Sequence, residues 1–132
     1  MYSLTTTGTL IAKSVTAKIP IVFTIVTYPV EAGLIDSLQN SRNNLVGSTN
    51  WVPVENQLSV FLELVPTVKS IGFVHRKEES NSTTQFNEMR LVARERGIEV
   101  IEIAPTNLSE IDSLLQASRS QIDALYSACD TL

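Results

Sequence analysis

The sequence predicts an α/β fold, a three-layer parallel sheet with flanking helices, and three observations predict it. Short runs of β-branched or aromatic residues begin near Tyr2, Ile21, Leu45, Ser70, Glu99 and Ala124. Most are separated by stretches whose apolar residues recur every three or four positions, and that alternation is the pattern of βαβ units. The run Ile21–Val26 is apolar everywhere except Thr24, as expected of a strand buried on both faces.

Taken in order, residues 2–6 read as the end of a strand entering a turn at Thr7-Gly8-Thr9. After Ile21–Val26, Thr27 and Tyr28 stand outside a helix expected to begin at Pro29, where a missing N–H costs nothing. Val30, Leu34, Ile35 and Leu38 then share one helical face. The loop between that strand and helix is where open α/β sheets place ligands. Residues 40–44 form the most loop-like stretch, and Leu45–Thr49 is a strand too polar at its end to be wholly buried. A boundary between two lobes is expected within residues 49–53.

The helix from about Pro53 carries Val54, Leu58, Phe61, Leu62 and Val65 on one face and stops at Pro66. The next, from about Ser82 to Arg96, buries Phe86, Met89, Val92 and Ala93 and ends on Gly97 as a C-cap. A third follows Pro105, where Asn107 with Glu110 three residues on suggests a capping box. Its apolar stripe is Leu108, Ile111, Leu114 and Leu115, and residues 124–129 form a buried-strand pattern.

A length of 132 residues with 43% hydrophobic and 18% charged content fits a globular unit with a modest core. A net charge of −4 without a basic cluster argues against nucleic acid as partner. The charge run Arg76-Lys77-Glu78-Glu79 compensates itself and reads as a solvated loop. One cysteine, Cys129, cannot form an internal disulfide. A single histidine without paired-ligand spacing argues against a metal site, and no cofactor motif is present. His75, Cys129 and Asp130 stand near the ends of different strands, but no motif fixes them as a nucleophile, base and orienter. The plain reading is a surface histidine and a buried strand cysteine. The strand ends, Thr27, Asn50, His75, Pro105 and Asp130, lack the clustered carboxylates of a phosphoacceptor domain.

The string IPIVF at residues 19–23, with Pro29-Val30, Ala32-Gly33-Leu34 and Ser37-Leu38, resembles the ABC-transporter substrate-binding proteins of the tryptophan-binding-like group. Thr7-Gly8-Thr9, Asn44, Val46-Gly47, Val54-Glu55-x-Gln57-Leu58, Ile71-Gly72, Asn81-Ser82 and Asp123-Ala124-Leu125-Tyr126 continue the match in register. The resemblance implies a type I periplasmic-binding fold, two α/β lobes closing on a small molecule. Residues 1–50 would be a partial N-lobe segment with a crossing strand, and residues 51–132 the first half of a C-lobe. It further implies a piece of a longer protein, no catalysis, and capture of a small ligand, plausibly an amino acid, for an ABC permease. The setting would be periplasmic or extracellular with a lipid anchor on the full-length protein, or alternatively the sensing module of a signalling receptor. Exposed strand edges would favour a homodimer.

Residue by residue, the resemblance places Thr7, Gly8 and Thr9 on a ligand-facing loop leading into a helix, a ready site for a carboxylate. Thr27 and Tyr28 fall on a second such loop, Asn81 and Ser82 on a third, and Asp130 where a carboxylate would meet a ligand ammonium. Ordinary helix capping would also account for Thr7, Thr9 and Asn81, and Tyr28 would also pack on Pro29. Three departures stand out. Tyr28 occupies a position commonly aspartate, Thr131 one that is usually asparagine, and His75-Arg76-Lys77 a loop where tyrosine or asparagine is usual.

Overall fold

The computed structural model describes residues 1–130. The chain divides into two compact units, Met1–Trp51 and the segment from Val52 onward. Both are α/β with parallel strands, the fold class the sequence predicts.

In the first unit, β1 (Tyr2–Leu4), β2 (Ile21–Val26) and β3 (Leu45–Thr49) form a parallel sheet in the order β1-β2-β3. Tyr2 pairs with Val22 and Val22 with Val46. Helix α1 (Thr6–Val15) links β1 to β2 and contributes Ala12 to a core of Ile21, Phe23, Leu34, Ile35 and Leu45. Only one face of β2 is buried. Val22 and Ile25 are 44% and 47% exposed, so the expectation of burial on both faces is corrected: the sheet face bearing Tyr2, Val22 and Val46 carries no covering helix among the described residues.

A second correction concerns Pro29. No helix follows it; residues 29–33 form a turn. The Leu34 N–H donates to the Pro29 carbonyl at 2.9 Å and the Gly33 N–H to Val30 at 2.8 Å. That hydrogen-bond pair is a Schellman closure around Gly33, whose φ of 66° suits a residue without Cβ. One helical turn is therefore ended as soon as it is made. The Lys13 ammonium donates to the Gly33 carbonyl and ties this turn to α1. The apolar residues are still used, with Leu34 and Ile35 in the core.

In the second unit, β4 (Ser70–Val74) lies between β5 (Glu99–Ile103) and β6 (Ala124–Ser127), all parallel. Helices α2 (Val54–Leu64) and α3 (Ser80–Glu95) bury Val54, Leu58, Phe86 and Met89 against Ile71 and Phe73. The expected C-cap is present: Gly97 has a φ of 71°, and the Ile98 N–H reaches the Ala93 carbonyl at 2.9 Å. After a 3-10 turn (Leu108–Glu110) comes α4 (Ile111–Ser118), which has no fully buried residue. Asn107 caps this segment through the Ser109 N–H, and the Glu110 carboxylate accepts from the Thr106 N–H. The cap thus reaches one residue farther back than a standard capping box. β6 is also less buried than its pattern suggests, alternating between half-buried and exposed positions.

Asp123 fastens the start of β6 to β4. Its Oδ2 accepts from the Lys69 N–H at 2.9 Å and from the Ser70 N–H and hydroxyl, each at 3.0 Å. These bonds hold the carboxyl below its ordinary value, the Lys69 N–H contributing most.

Candidate functional site

In parallel α/β sheets the C-terminal ends of the strands carry the loops that meet ligands. In the first unit those ends are β1 and β2, joined where the Thr5 N–H donates to the Thr24 carbonyl at 3.1 Å. Thr7, Gly8 and Thr9 form the first turn of α1 and not a turn before it, which corrects the sequence expectation. The N-cap is Thr5, whose hydroxyl accepts weakly from the Gly8 N–H at 3.4 Å. Thr5 has a φ of 64° and Ile25, beside an irregularity in β2, a φ of 57°. Left-handed backbone at non-glycine residues stores strain, and it gathers here at one end of the sheet.

The two threonines of this turn differ. Thr7 is exposed, and the first-turn N–H groups around it have no partner within the helix. Thr9 is fully buried; its hydroxyl donates to the Thr5 carbonyl at 2.7 Å and bonds the Ser3 hydroxyl at 2.9 Å. Thr27 donates from its hydroxyl to Asn50 Oδ1 at 3.2 Å. Tyr28 is buried, only 3% exposed.

In the second unit the corresponding edge is the loop of residues 75–79 and the N-terminus of α3. Glu79 is the N-cap but makes no side-chain capping bond. The loop is held from elsewhere. The Arg76 N–H donates to Asp130 Oδ2 at 2.7 Å, and Asn81 Nδ2 donates to the Cys129 carbonyl at 3.0 Å. Ser82 Oγ donates to the carbonyls of Arg76 and Glu79. Asn81, Ser82 and Asp130 are thereby brought together on one loop cluster. Asn81 is 7% exposed and its Oδ1 has no hydrogen-bond partner among the described residues. An oriented helix N-terminus beside a carboxylate offers a positive and a negative end within one cluster.

Two residues differ from their plain readings. His75 is completely buried instead of lying on the surface, and Cys129 is exposed and beyond the end of β6 instead of buried within it. A polar node that the sequence did not reveal joins α2, α3 and β6. Gln85 Nε2 donates to Gln57 Oε1 at 3.1 Å and to the Tyr126 hydroxyl at 2.9 Å, and the Tyr126 hydroxyl bonds Gln57 Oε1. Burial raises the Tyr126 hydroxyl above its ordinary value, with the nearby Cys129 adding to the effect. Thr131 lies outside the described residues.

Of two cavities, the first borders the Thr27–Tyr28 loop at Pro29 and Thr49, and the second lies in the second unit. The first, of about 600 Å³, runs beside β3 and is lined by Pro29, Leu38 and Val46 among others; the second, of about 370 Å³, lies between α4 and β6. Among the described residues no helix is long and apolar enough to cross a membrane.

Comparison with known proteins decides the family. Residues 2–132 match the family described as ABC transporter substrate binding protein. The chain belongs to this family. Its members are substrate-binding proteins and not a family of enzymes. A tyrosine-binding protein of Clostridioides difficile is 32% identical over the whole chain, which spans 38% of that relative. The crystal structure of an ABC domain in complex with L-Trp from Streptococcus pneumonia is 28% identical with a TM-score of 0.91. The alignment covers 98% of this chain and 45% of that one. A conserved domain protein from Vibrio cholerae is 33% identical with a TM-score of 0.89, over 95% of this chain and 42% of the other. The chain therefore spans less than half the length of these substrate-binding relatives and their structural neighbours.

Proposed function

We propose that this chain carries two ligand-binding loops of an amino-acid-binding protein that serves an ABC importer. One loop is the first turn of α1 with Thr27 and Tyr28, and the other is Asn81, Ser82 and Asp130. The reading is supported most by the second loop, where a helix N-terminus suited to a carboxylate stands beside Asp130, suited to an ammonium. A relative that is named for tyrosine and a neighbour that is bound to L-Trp favour an amino acid as the zwitterion. Such a protein works outside the cytoplasm, where a permease receives the loaded form.

The whole protein is longer than 132 residues in this reading, and the isolated chain is expected to bind weakly. Loss of two charge-assisted hydrogen bonds, at about 1.5–3 kcal/mol each, weakens binding at least about a hundredfold. Calorimetric titration of the full-length protein and of this chain with an amino-acid panel tests it. Equal affinities would refute the need for the sequence beyond this chain. In the full-length protein, unchanged binding by both Asn81→Ala and Tyr28→Phe would remove these loops from the site. The exposed row Tyr2, Val22 and Val46 also supports pairing of two copies of the isolated chain. A monomer in sedimentation at high concentration would refute that pairing.

A further inference from the structure

Among the described residues, His75 is a completely buried imidazole whose side chain has no part in the loops just described. It follows β4 directly, and its N–H donates to the Ile103 carbonyl at 3.1 Å, extending the ladder to β5 by one step. Phe73 and His75 share a face of the strand, with ring centroids 5.6 Å apart at 75°. The imidazole stacks on Phe86 of α3, 5.1 Å away and nearly parallel at 14°. Nε2 meets Glu102 Oε1 on β5 at 3.0 Å, and Nδ1 has no hydrogen-bond partner among the described residues. The other Glu102 oxygen takes the Lys77 ammonium at 2.9 Å.

The ring therefore has a single polar tether, Glu102, and that tether selects the orientation with the proton on Nε2. Through Lys77 the same carboxylate also holds the loop of residues 75–79. Through Phe86 the ring touches the helix whose N-terminus bears Asn81 and Ser82. Three things that must agree for that helix end to be placed, namely the β4 exit, the loop and the helix, meet on one side chain. Burial in an aromatic box makes the polar bond directional, because a ring that turns loses its only partner.

We infer that His75 is a positioning residue for the ligand-binding end of α3, acting through the Lys77–Glu102–His75 chain and the Phe86 stack. This rests on the reading that the α3 N-terminus holds the ligand. It further assigns an affinity-setting role to a position that the resemblance marks as a departure from its family.

The test compares three variants: His75→Phe, which keeps the stack and loses the tether; Glu102→Leu, which removes the acceptor; and Glu102→Gln, which keeps an acceptor oxygen without the charge. Hydrogen exchange on this chain reads the loop without any ligand. Amides 76–82 should exchange at least about tenfold faster in His75→Phe and Glu102→Leu, with the β4 amides as internal reference. Glu102→Gln should restore them in part, its one oxygen serving His75 while the pairing with Lys77 is lost. In the full-length protein, affinity for L-tyrosine or L-tryptophan should fall by about tenfold in the first two and recover in part in Glu102→Gln. Exchange within about twofold of the parent in both damaging variants would overturn the inference, as would a Glu102→Gln as damaging as Glu102→Leu. Should His75→Phe not fold, Glu102→Leu decides, since that side chain is already 32% exposed. If the parent binds neither amino acid, the proposed ligand class falls while the exchange experiment still decides the role of His75.

Discussion

The first turns of α1 and α3 are chemically alike, Thr6-Thr7-Gly8-Thr9 in one and Ser80-Asn81-Ser82 in the other, yet they are held in opposite ways. The α1 turn is closed by its neighbours: Thr5 caps it, and the Thr9 hydroxyl is consumed by Thr5 and Ser3. Helix α3 has no side-chain cap at its N-cap residue and is held by Cys129 and Asp130, separated by 48 and 54 residues from their partners Asn81 and Arg76. The first design fixes a helix end mainly through adjacent sequence, with one backbone bond from Thr5 to Thr24 of β2. The second makes the helix end depend on whether a distant strand is in place.

The largest effect expected from this contrast is at the β4 centre. Phe73 is completely buried and touches Phe86, His75 and Tyr126. Phe73→Ala should cost about 3–5 kcal/mol, measured by urea denaturation. Hydrogen exchange should show the 75–82 loop losing protection with it, while the α1 turn keeps its own. Equal loss in both turns would break the comparison.

Next in size is the pair Thr9→Val and Asn81→Ala. Thr9→Val leaves buried acceptors without their donor and should lower stability by about 1–3 kcal/mol, with little change in ligand affinity. Asn81→Ala should do the reverse in the full-length protein, weakening amino-acid binding by about tenfold or more with a small shift in Tm. If Thr9→Val lost binding while keeping its stability, Thr9 would be a ligand contact and not the buried support of its turn.

The smallest effect is a pH dependence. For Glu102, burial raises the carboxyl, but hydrogen bonds and charge from Lys77 and His75 outweigh it, so the group ends below its ordinary value. Asp123 is lowered by its bonds to Lys69 and Ser70. A carboxyl lowered by folding contributes stability that is present above its unfolded value and is lost as pH falls through the folded one. Acidification should therefore loosen the second unit before general acid unfolding. In Asp123→Asn the urea midpoint should be lower at neutral pH and fall less steeply on acidification. An unchanged slope would exclude Asp123 as a source.

The strand starts were legible because β-branched runs bounded by polar residues leave little choice, and all six expected positions carry strands. The helix at Pro29 was not, since Val30 and Leu34 lie four apart whether one turn or several are made. Only the Gly33 closure, together with its tie to Lys13, decides the length. Among the candidate residues, the grouping of Asn81, Ser82 and Asp130 was legible only through resemblance. Their convergence is made by strand pairing, which no local pattern encodes. His75 was misread because a polar residue at a strand end is usually solvated; its burial depends on Glu102 across the β4–β5 ladder. No local signal marked it, since Glu102 is itself exposed on an edge strand that also carries Glu99 and needs no buried partner.

The placement of β4 between β5 and β6 has a kinetic consequence. Residues 70 and 99 can pair once the intervening helix forms, whereas Ser70 and Asp123 must close a loop of 53 residues. Loop closure grows less favourable as the loop lengthens, and pairings distant in sequence are slow to form. On refolding, β4 and β5 should therefore acquire protection first and β6 later. Because the Asn81 amide and the Arg76 N–H find these acceptors on the segment following β6, the α3 helix end matures after the sheet that supports it. The capacity to bind would then lag behind the recovery of secondary structure.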